Sequence, residues 1–195
     1  MIGAGLFEQG IPPTFDLGDL RLRPLKPGDE VALFEYRADQ RVTEHTSIPE
    51  ATAEALAESI RRDIAAYGEG TSCRFALASQ DDRLIGMCGF NQWSIPHRHA
   101  ELAYELAPLH WRRGYMRRAI GTVLAWGFQR VALNRVHSFA MTSNQPSIGL
   151  LEKCGFTREG ILREYRVARG TPRDFYIYSL LAGDFAAAAG RGSGQ

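Results

Sequence analysis

The sequence predicts a mixed α/β fold, one sheet with helices on both of its faces. Three observations carry this. Strand-like and helix-like patterns alternate along the chain in the order β-α-α-β-β-β-α-β-α-β-β. A polar loop of hairpin length, residues 80–83, joins two strand patterns and makes them antiparallel neighbours. Strand–helix–strand steps further on require a parallel pair.

Each element has its own signal. Residues 20–25, Leu-Arg-Leu-Arg-Pro-Leu, alternate apolar and basic side chains, as a strand with one buried face does. Pro27 opens a short helix to about Ala38, since proline is tolerated in a first turn. Pro49 and Glu50 open a second helix. Its apolar residues Ala53, Leu56, Ala57, Ile60, Ile64 and Tyr67 recur at helical spacing, and Gly68 stops it. Residues 73–79 and 84–93 are the two hairpin strands. Residues 100–107 form a fourth strand, with Leu102, Tyr104 and Leu106 on one face and Glu101, Ala103 and Glu105 on the other. After a loop at 108–114 comes a long amphipathic helix with Met116, Ile120, Val123, Leu124, Gly127 and Val131 on one stripe. Residues 135–141 are a fifth strand. Asn144-Gln145-Pro146-Ser147 begins the last helix and Gly155 ends it. Residues 156–162 and 175–181 close the sheet.

Domain organisation follows. Residues 1–18 are rich in Gly and Pro and read as an N-terminal arm, or as an extended segment pinned by Phe7 and Phe15. Residues 19–183 are the domain. Residues 184–195 read as a flexible, frayed tail, because the Ala, Gly and Ser from Ala186 onward bury little.

Composition removes whole classes of function. Of 195 residues, 45% are hydrophobic and 23% charged, the balance of a globular chain. The formal net charge is +1, which does not suit a strongly electrostatic binder of nucleic acid or anionic membrane. No apolar run is long enough to span a bilayer, and the N-terminus lacks the basic region of a signal peptide. Cys73, Cys88 and Cys154 show no CxxC spacing and suit a reducing compartment, so the cytoplasm is expected. His97, His99 and His110 have no carboxylate or cysteine partner at ligand spacing, and no metal site is expected.

The chemistry concentrates where the fourth strand meets the long helix. Arg112, Arg113, Arg117 and Arg118 surround Gly114 and Tyr115 within seven positions. A helix N-terminus offers unpaired N–H groups and a partial positive charge. Gly114 lets the backbone come close to a ligand or take a positive φ. Together these describe a cradle for a phosphate or diphosphate, with arginines to hold its periphery. The plain alternative is a surface turn with solvated arginines. No G-x-x-x-x-G-K-[ST] and no G-x-G-x-x-G occurs, so neither a Walker loop nor a dinucleotide fingerprint is present.

Glu-Leu-Ala-Tyr-Glu-Leu-Ala-Pro at 101–108, Trp-Arg-Arg-Gly-Tyr-Met-Arg-Arg-Ala at 111–119 and Asn-Gln-Pro-Ser-Ile-Gly-Leu-Leu-Glu-Lys-Cys-Gly-Phe at 144–156 resemble the GNAT superfamily of N-acyltransferases. The branch most similar contains the ribosomal-protein N-terminal acetyltransferases RimJ and RimL. Leu22-Arg-Pro-Leu resembles its opening strand and Glu-Gly-Ile-Leu-Arg-Glu-Tyr at 159–165 its ending, so the likeness runs over about residues 18–183. It implies a mostly antiparallel sheet of about seven strands, an acetyl-CoA donor and an amine acceptor. It implies that the loop amides at Arg112, Arg113, Gly114, Tyr115, Met116 and Arg117 bind the CoA diphosphate. Trp111 takes the first place of the family's Gln/Arg-x-x-Gly-x-Gly/Ala signature, and Met116 departs from it at the last. The strand end around Leu106 would pair with the pantetheine arm, because the fourth and fifth strands splay in this fold. Asn144 would lie near that arm and Ser147 near the thioester sulfur.

Acetyl transfer needs a neutral amine, a donor for the developing oxyanion and a proton for the departing thiolate. Glu101 is the expected general base, direct or through water, and Ser147 the expected thiolate donor. A bulge would be needed to take Glu105 off the face of Glu101; Glu105 ranks second. The plain readings are a Glu101 paired with Arg98 or another arginine, a Ser147 that merely occupies a first turn, and an Asn144 that merely caps a helix. Trp93 and Asn91 either touch the acceptor or close the core edge. The function expected is N-acetyl transfer to a primary amine, with a protein N-terminal α-amine foremost. A small-molecule amine, a non-catalytic acyl-CoA-binding module and, least, an RNA-associated protein stand as alternatives. A homodimer stays open.

Overall fold

A computed structural model describes Phe7, residues 10–44 and residues 52–192. The strands are β1 (Phe15–Asp16), β2 (Arg21–Pro24), β3 (Cys73–Ala78), β4 (Leu84–Ser94), β5 (His99–Leu106), β6 (Arg135–Met141), β7 (Thr157–Ala168) and β8 (Thr171–Leu181). The helices are α1 (Asp29–Arg37), α2 (Gln40–Thr43), α3 (Ala53–Glu69), α4 (Tyr115–Gln129), α5 (Gln145–Lys153) and α6 (Ala182–Gly192). All eight strands form one sheet in the order β1-β2-β3-β4-β5-β6-β8-β7. Every neighbouring pair is antiparallel except β5 and β6, which are parallel. The mixed, mostly antiparallel sheet predicted from the sequence is therefore present, with one strand more than the seven expected.

Helices cover both faces. On one, α4 turns the predicted stripe inward: Met116, Ile120, Val123, Leu124 and Gly127 are buried, while Val131 lies just past the helix end. Gly127 brings the helix onto the sheet, since a Cβ there would lie 2.7 Å from the Phe90 ring. On the other, Arg37 of α1 reaches Glu105 of β5, and Asp63 of α3 reaches Arg74 of β3. Phe90 faces Leu102 across β4 and β5, and Leu102 and Glu105 have opposite parity along the strand, so the two helical layers lie on opposite faces.

Several boundaries differ from those read in the sequence. The helix expected to open at Pro49 and Glu50 begins at Ala53, with the Thr52 hydroxyl accepting from the Ala55 N–H; Pro49 and Glu50 lie outside the described residues. Gly68 does not stop it. The helix runs through Gly68 and ends where Gly70 turns left-handed at φ 67°. The extra strand comes from the arm: Phe15 and Asp16 pair with Leu22 and Arg21, Phe15 packs edge-on to Phe75 at 5.7 Å, and Phe7 stacks on Trp126 at 6.0 Å. The closing stretch, expected to be frayed, is helical through Gly192, anchored where Phe185 meets Phe128 at 5.1 Å. β7 and β8 are longer than the short closing strands predicted, and β7 carries two register irregularities, between Arg158 and Gly160 and between Leu162 and Arg166.

The three cysteines are free, Cys73 and Cys88 buried and Cys154 half-buried; burial pushes their thiols up. Among the described residues no helix is long and apolar enough to cross a membrane.

Candidate active site

The parallel pair opens the sheet. β5 and β6 are in register only at His99 and Arg135, Ala100 and Val136, and Glu101 and His137. Beyond that the last bridge is the Ser138 hydroxyl, which donates to the Leu102 carbonyl at 2.9 Å. The remainder of β5 stays paired to β4 on its other side, through Ala103 to Leu106, and its β6-facing edge has no strand partner. The Leu102 carbonyl points toward β6, so the peptide groups of Tyr104 and Leu106 point the same way by alternation. At the far end Trp111 donates its indole N–H to the Leu106 carbonyl at 2.7 Å.

The register of β4 against β5 is unbroken from Leu106 to Glu101; its irregularity falls later, between Asn91 and Ser94. Glu101 and Glu105 therefore share one face. Their surroundings differ. Glu105 accepts from Arg37 at 2.6 and 2.9 Å and from Arg74 at 3.3 Å. Burial alone would raise its pKa, but the two guanidinium groups outweigh that and hold the carboxyl below its usual range. Glu101 is just as buried, its side chain 7% exposed, yet among the described residues its carboxylate has one hydrogen-bonding partner, Arg166 at 3.3 Å. Of the arginines the plain reading allows, Arg98 or another, it is Arg166 that pairs with Glu101, while the Arg98 guanidinium donates to the Ala132 carbonyl.

The opposite face carries the hydroxyls. Ser147, in the first turn of α5, shares a 2.8 Å hydrogen bond with the phenol of Tyr104. Asn144 is the N-cap of that helix, its Oδ1 accepting from the Ser147 N–H at 3.1 Å. Its carbonyl oxygen thus has the capping role, and it fixes where Ser147 stands. Burial raises the Tyr104 phenol, with the Ser147 hydrogen bond acting against it. In the sequence Tyr104 shows only as an apolar-face residue; its hydroxyl meets Ser147 across 43 residues, which no local pattern announces.

Beyond the end of β5 lies the turn before α4, the segment the sequence marks as a candidate anion cradle. Arg112 and Gly114 both adopt positive φ, 60° and 76°. A Cβ on Gly114 would meet nothing within 4 Å. The helix has no side-chain cap, and the amides of Tyr115, Met116 and Arg117 meet no acceptor among the described residues. Arg112, Arg113 and Arg117 are exposed, whereas Met116 is buried in the core and leaves only its N–H to the cradle. Arg118 does not belong to it: it bonds Asp19 at 2.5 Å and the Leu17 carbonyl, tying the N-terminal segment down. Trp93 closes the core edge, packed with Phe7, Phe90 and Trp126. The His97 and His99 rings stack at 6.2 Å, and no set of three His, Cys, Asp or Glu side chains among the described residues could hold a metal ion.

Comparison with known proteins gives the family. Residues 19–157 match the acetyltransferase (GNAT) domain. The uncharacterised N-acetyltransferase YoaA of Bacillus subtilis is 34% identical over 171 residues, 87% of this chain and 97% of that protein. Among solved structures, the ribosomal-protein-S5-alanine acetyltransferase of Vibrio fischeri superposes with a TM-score of 0.79 at 20% identity, covering 89% of this chain and 99% of that one. The spermidine N-acetyltransferase of Vibrio cholerae, solved with CoA and spermine, gives 0.76 at 23% identity, covering 86% and 98%.

Proposed function

Because the chain belongs to the GNAT acetyltransferase domain family, an N-acetyltransferase drawing on acetyl-CoA, we propose that its acceptor is a protein N-terminal α-amine and that Glu101 is the general base of a direct attack. The observation that carries this reading is the end of β5–β6 pairing at Glu101. It leaves one nearly buried carboxylate, singly paired among the described residues, beside an opening, with the Tyr104 peptide groups and the Leu106 N–H unpaired along one wall and a hydroxyl pair on the opposite face.

The cradle fits the donor. Uncapped amides at Tyr115, Met116 and Arg117 and the exposed Arg112, Arg113 and Arg117 suit a diphosphate, and the open edge at Tyr104 and Leu106 suits an amide-bearing arm laid along it as an added strand. When bound, the thioester supplies an electrophilic carbonyl carbon. Glu101 takes the proton from the incoming ammonium, whose pKa near ~8 leaves a useful neutral fraction at physiological pH. The N–H groups of β5 that face the opening stabilise the developing oxyanion. Ser147 delivers a proton to the departing sulfur, and Tyr104, hydrogen-bonded to it, restores that proton. The second proton shed by the attacking nitrogen makes good the phenol through water in the opening, while the proton on Glu101 leaves to solvent. The three free thiols suit a reducing compartment, and the cytoplasm is the location this reading takes.

The test is incubation with acetyl-CoA and a mixed library of N-terminal peptides, amino acids and polyamines, read by mass spectrometry. Acetylated peptide N-termini support the reading. Acetylation confined to spermidine or another small amine moves the acceptor to that class, and no product with any amine overturns it.

A further inference from the structure

Arg166 is seated with care on the face of the sheet that carries Glu101. The register irregularity between Leu162 and Arg166 re-aims the strand just before it. Its guanidinium lies 5.0 Å from the Phe139 ring, 5.1 Å from Tyr165 and 5.7 Å from Phe175. Those rings touch one another, Phe139 and Tyr165 at 4.9 Å and Tyr165 and Phe175 at 6.0 Å. Phe139 and Phe175 join Met141 and Ala168 in a small apolar cluster separate from the main core. Such a cage fixes a cation by attraction to the ring faces. From this seat one nitrogen reaches Glu101.

The contrast with Glu105 shows what the contact is not. There two arginines grip one carboxylate through three bonds. Here one bond of 3.3 Å uses one donor of a fork that has five. The other donors of Arg166 meet no acceptor among the described residues, and its side chain is 34% exposed. A caged cation with unused donors thus stands beside the proposed base.

We propose that Arg166 is a specificity-determining residue: its free donors take the oxygen of a carbonyl or carboxylate one carbon from the acceptor amine, while the amine turns to Glu101. The inference rests on the reading of Glu101 as the base. The ligand class is an α-amino carbonyl compound, which a peptide N-terminus and a free amino acid both present. A polyamine has no such oxygen and brings further positive charge toward a fixed guanidinium, so the same residue selects against it. The cage matters because a fork already held in place loses little freedom on binding.

The experiment compares four acceptors, an alanyl peptide amide, free alanine, propylamine and spermidine, with the full chain, R166Q and R166K, and records a melting curve for each protein. The wild type is expected to use the alanyl peptide about ten-fold or more better by kcat/KM than propylamine, the scale of one charge-assisted hydrogen bond. R166Q should lose that preference mainly through a raised KM for the peptide, and R166K should recover part of it. Peptide and free alanine distinguish a carbonyl from a carboxylate source, and either one supports the proposal. A wild type that prefers propylamine or spermidine overturns it while leaving acetyl transfer intact. An R166Q that loses all four acceptors equally, or that merely melts earlier with its preference unchanged, also overturns it. No turnover with any amine removes the proposed function and this inference together.

Discussion

Exchanging each of the two carboxylates of β5 for its amide separates chemistry from stability. Glu105 is held by Arg37 and Arg74, whose side chains are 12% and 15% exposed. Breaking a buried pair by removing one partner's charge costs ~3–5 kcal/mol. Glu105→Gln keeps an accepting oxygen, so the low end applies, about 3 kcal/mol. A protein of this size loses ~2–4 °C of melting temperature per kcal/mol, so Tm should fall by about 6–12 °C. Glu101→Gln breaks one 3.3 Å contact to a partly exposed arginine, and its stability should change by less than about 1 kcal/mol. Its kcat/KM should fall about 10²–10⁴-fold, the range for a lost general base. The assay is a thermal melt beside steady-state acetylation, at a temperature where both variants are folded. A Glu105→Gln variant that melts like the wild type but has lost turnover, with Glu101→Gln fully active, would refute the assignment.

Further outcomes follow from the same geometry. The Glu105 carboxyl is lowered in the folded state, so its stabilisation is present above the unfolded value near ~4.3 and lost as pH falls through the folded one. Urea midpoints should therefore drop below about pH 4.5, and less steeply in Glu105→Gln. Ser147→Ala should lower kcat about ten-fold or more, with Tyr104→Phe showing a smaller fall, as rates at saturating donor will report. Gly114→Ala forces a side chain into φ 76° at a cost of ~1–2 kcal/mol, and should raise the KM for acetyl-CoA more than that for the acceptor. Gly127→Ala drives a methyl against Phe90; overpacking of ~1–3 kcal/mol exceeds the roughly 1 kcal/mol gained in helix propensity, so the urea midpoint should fall modestly.

Where periodicity or turn chemistry fixes structure locally, the sequence was legible. The α4 stripe, the hairpin over residues 80–83, the αL glycine after α5 and the parity of Glu101 against Leu102 all follow from residue type and spacing alone. The left-handed turn at Gly114 that leads into α4 was legible too, because its parts are contiguous. What escaped depends on distance. Gly68 reads as a stop, yet the helix around it is held by Leu56, Ile60 and Tyr67 in the core, and tertiary packing overrides a glycine's modest local cost. The strand at Phe15 exists because Phe75 and Trp126 offer it a wall. Tyr104 and Arg166 meet their partners across 43 and 65 residues. The strand pattern in the sequence ends at Leu162, before the irregularity that delivers Arg166 to Glu101.

The two rims of the sheet are unequal in their exposure to misadventure. One is a two-residue strand, too short to template anything. The other is β7, twelve residues long, with Ile161 and Val167 open to water. A flat ribbon of that length would zip lengthwise onto any extended chain it met. Its two dislocations and the left-handed backbone at Glu164, φ 49°, break the straight run of free amides, and Arg158, Glu159, Arg163 and Glu164 stud it with charge. The kink that brings Arg166 to Glu101 thereby also breaks up the edge along which another extended chain would pair.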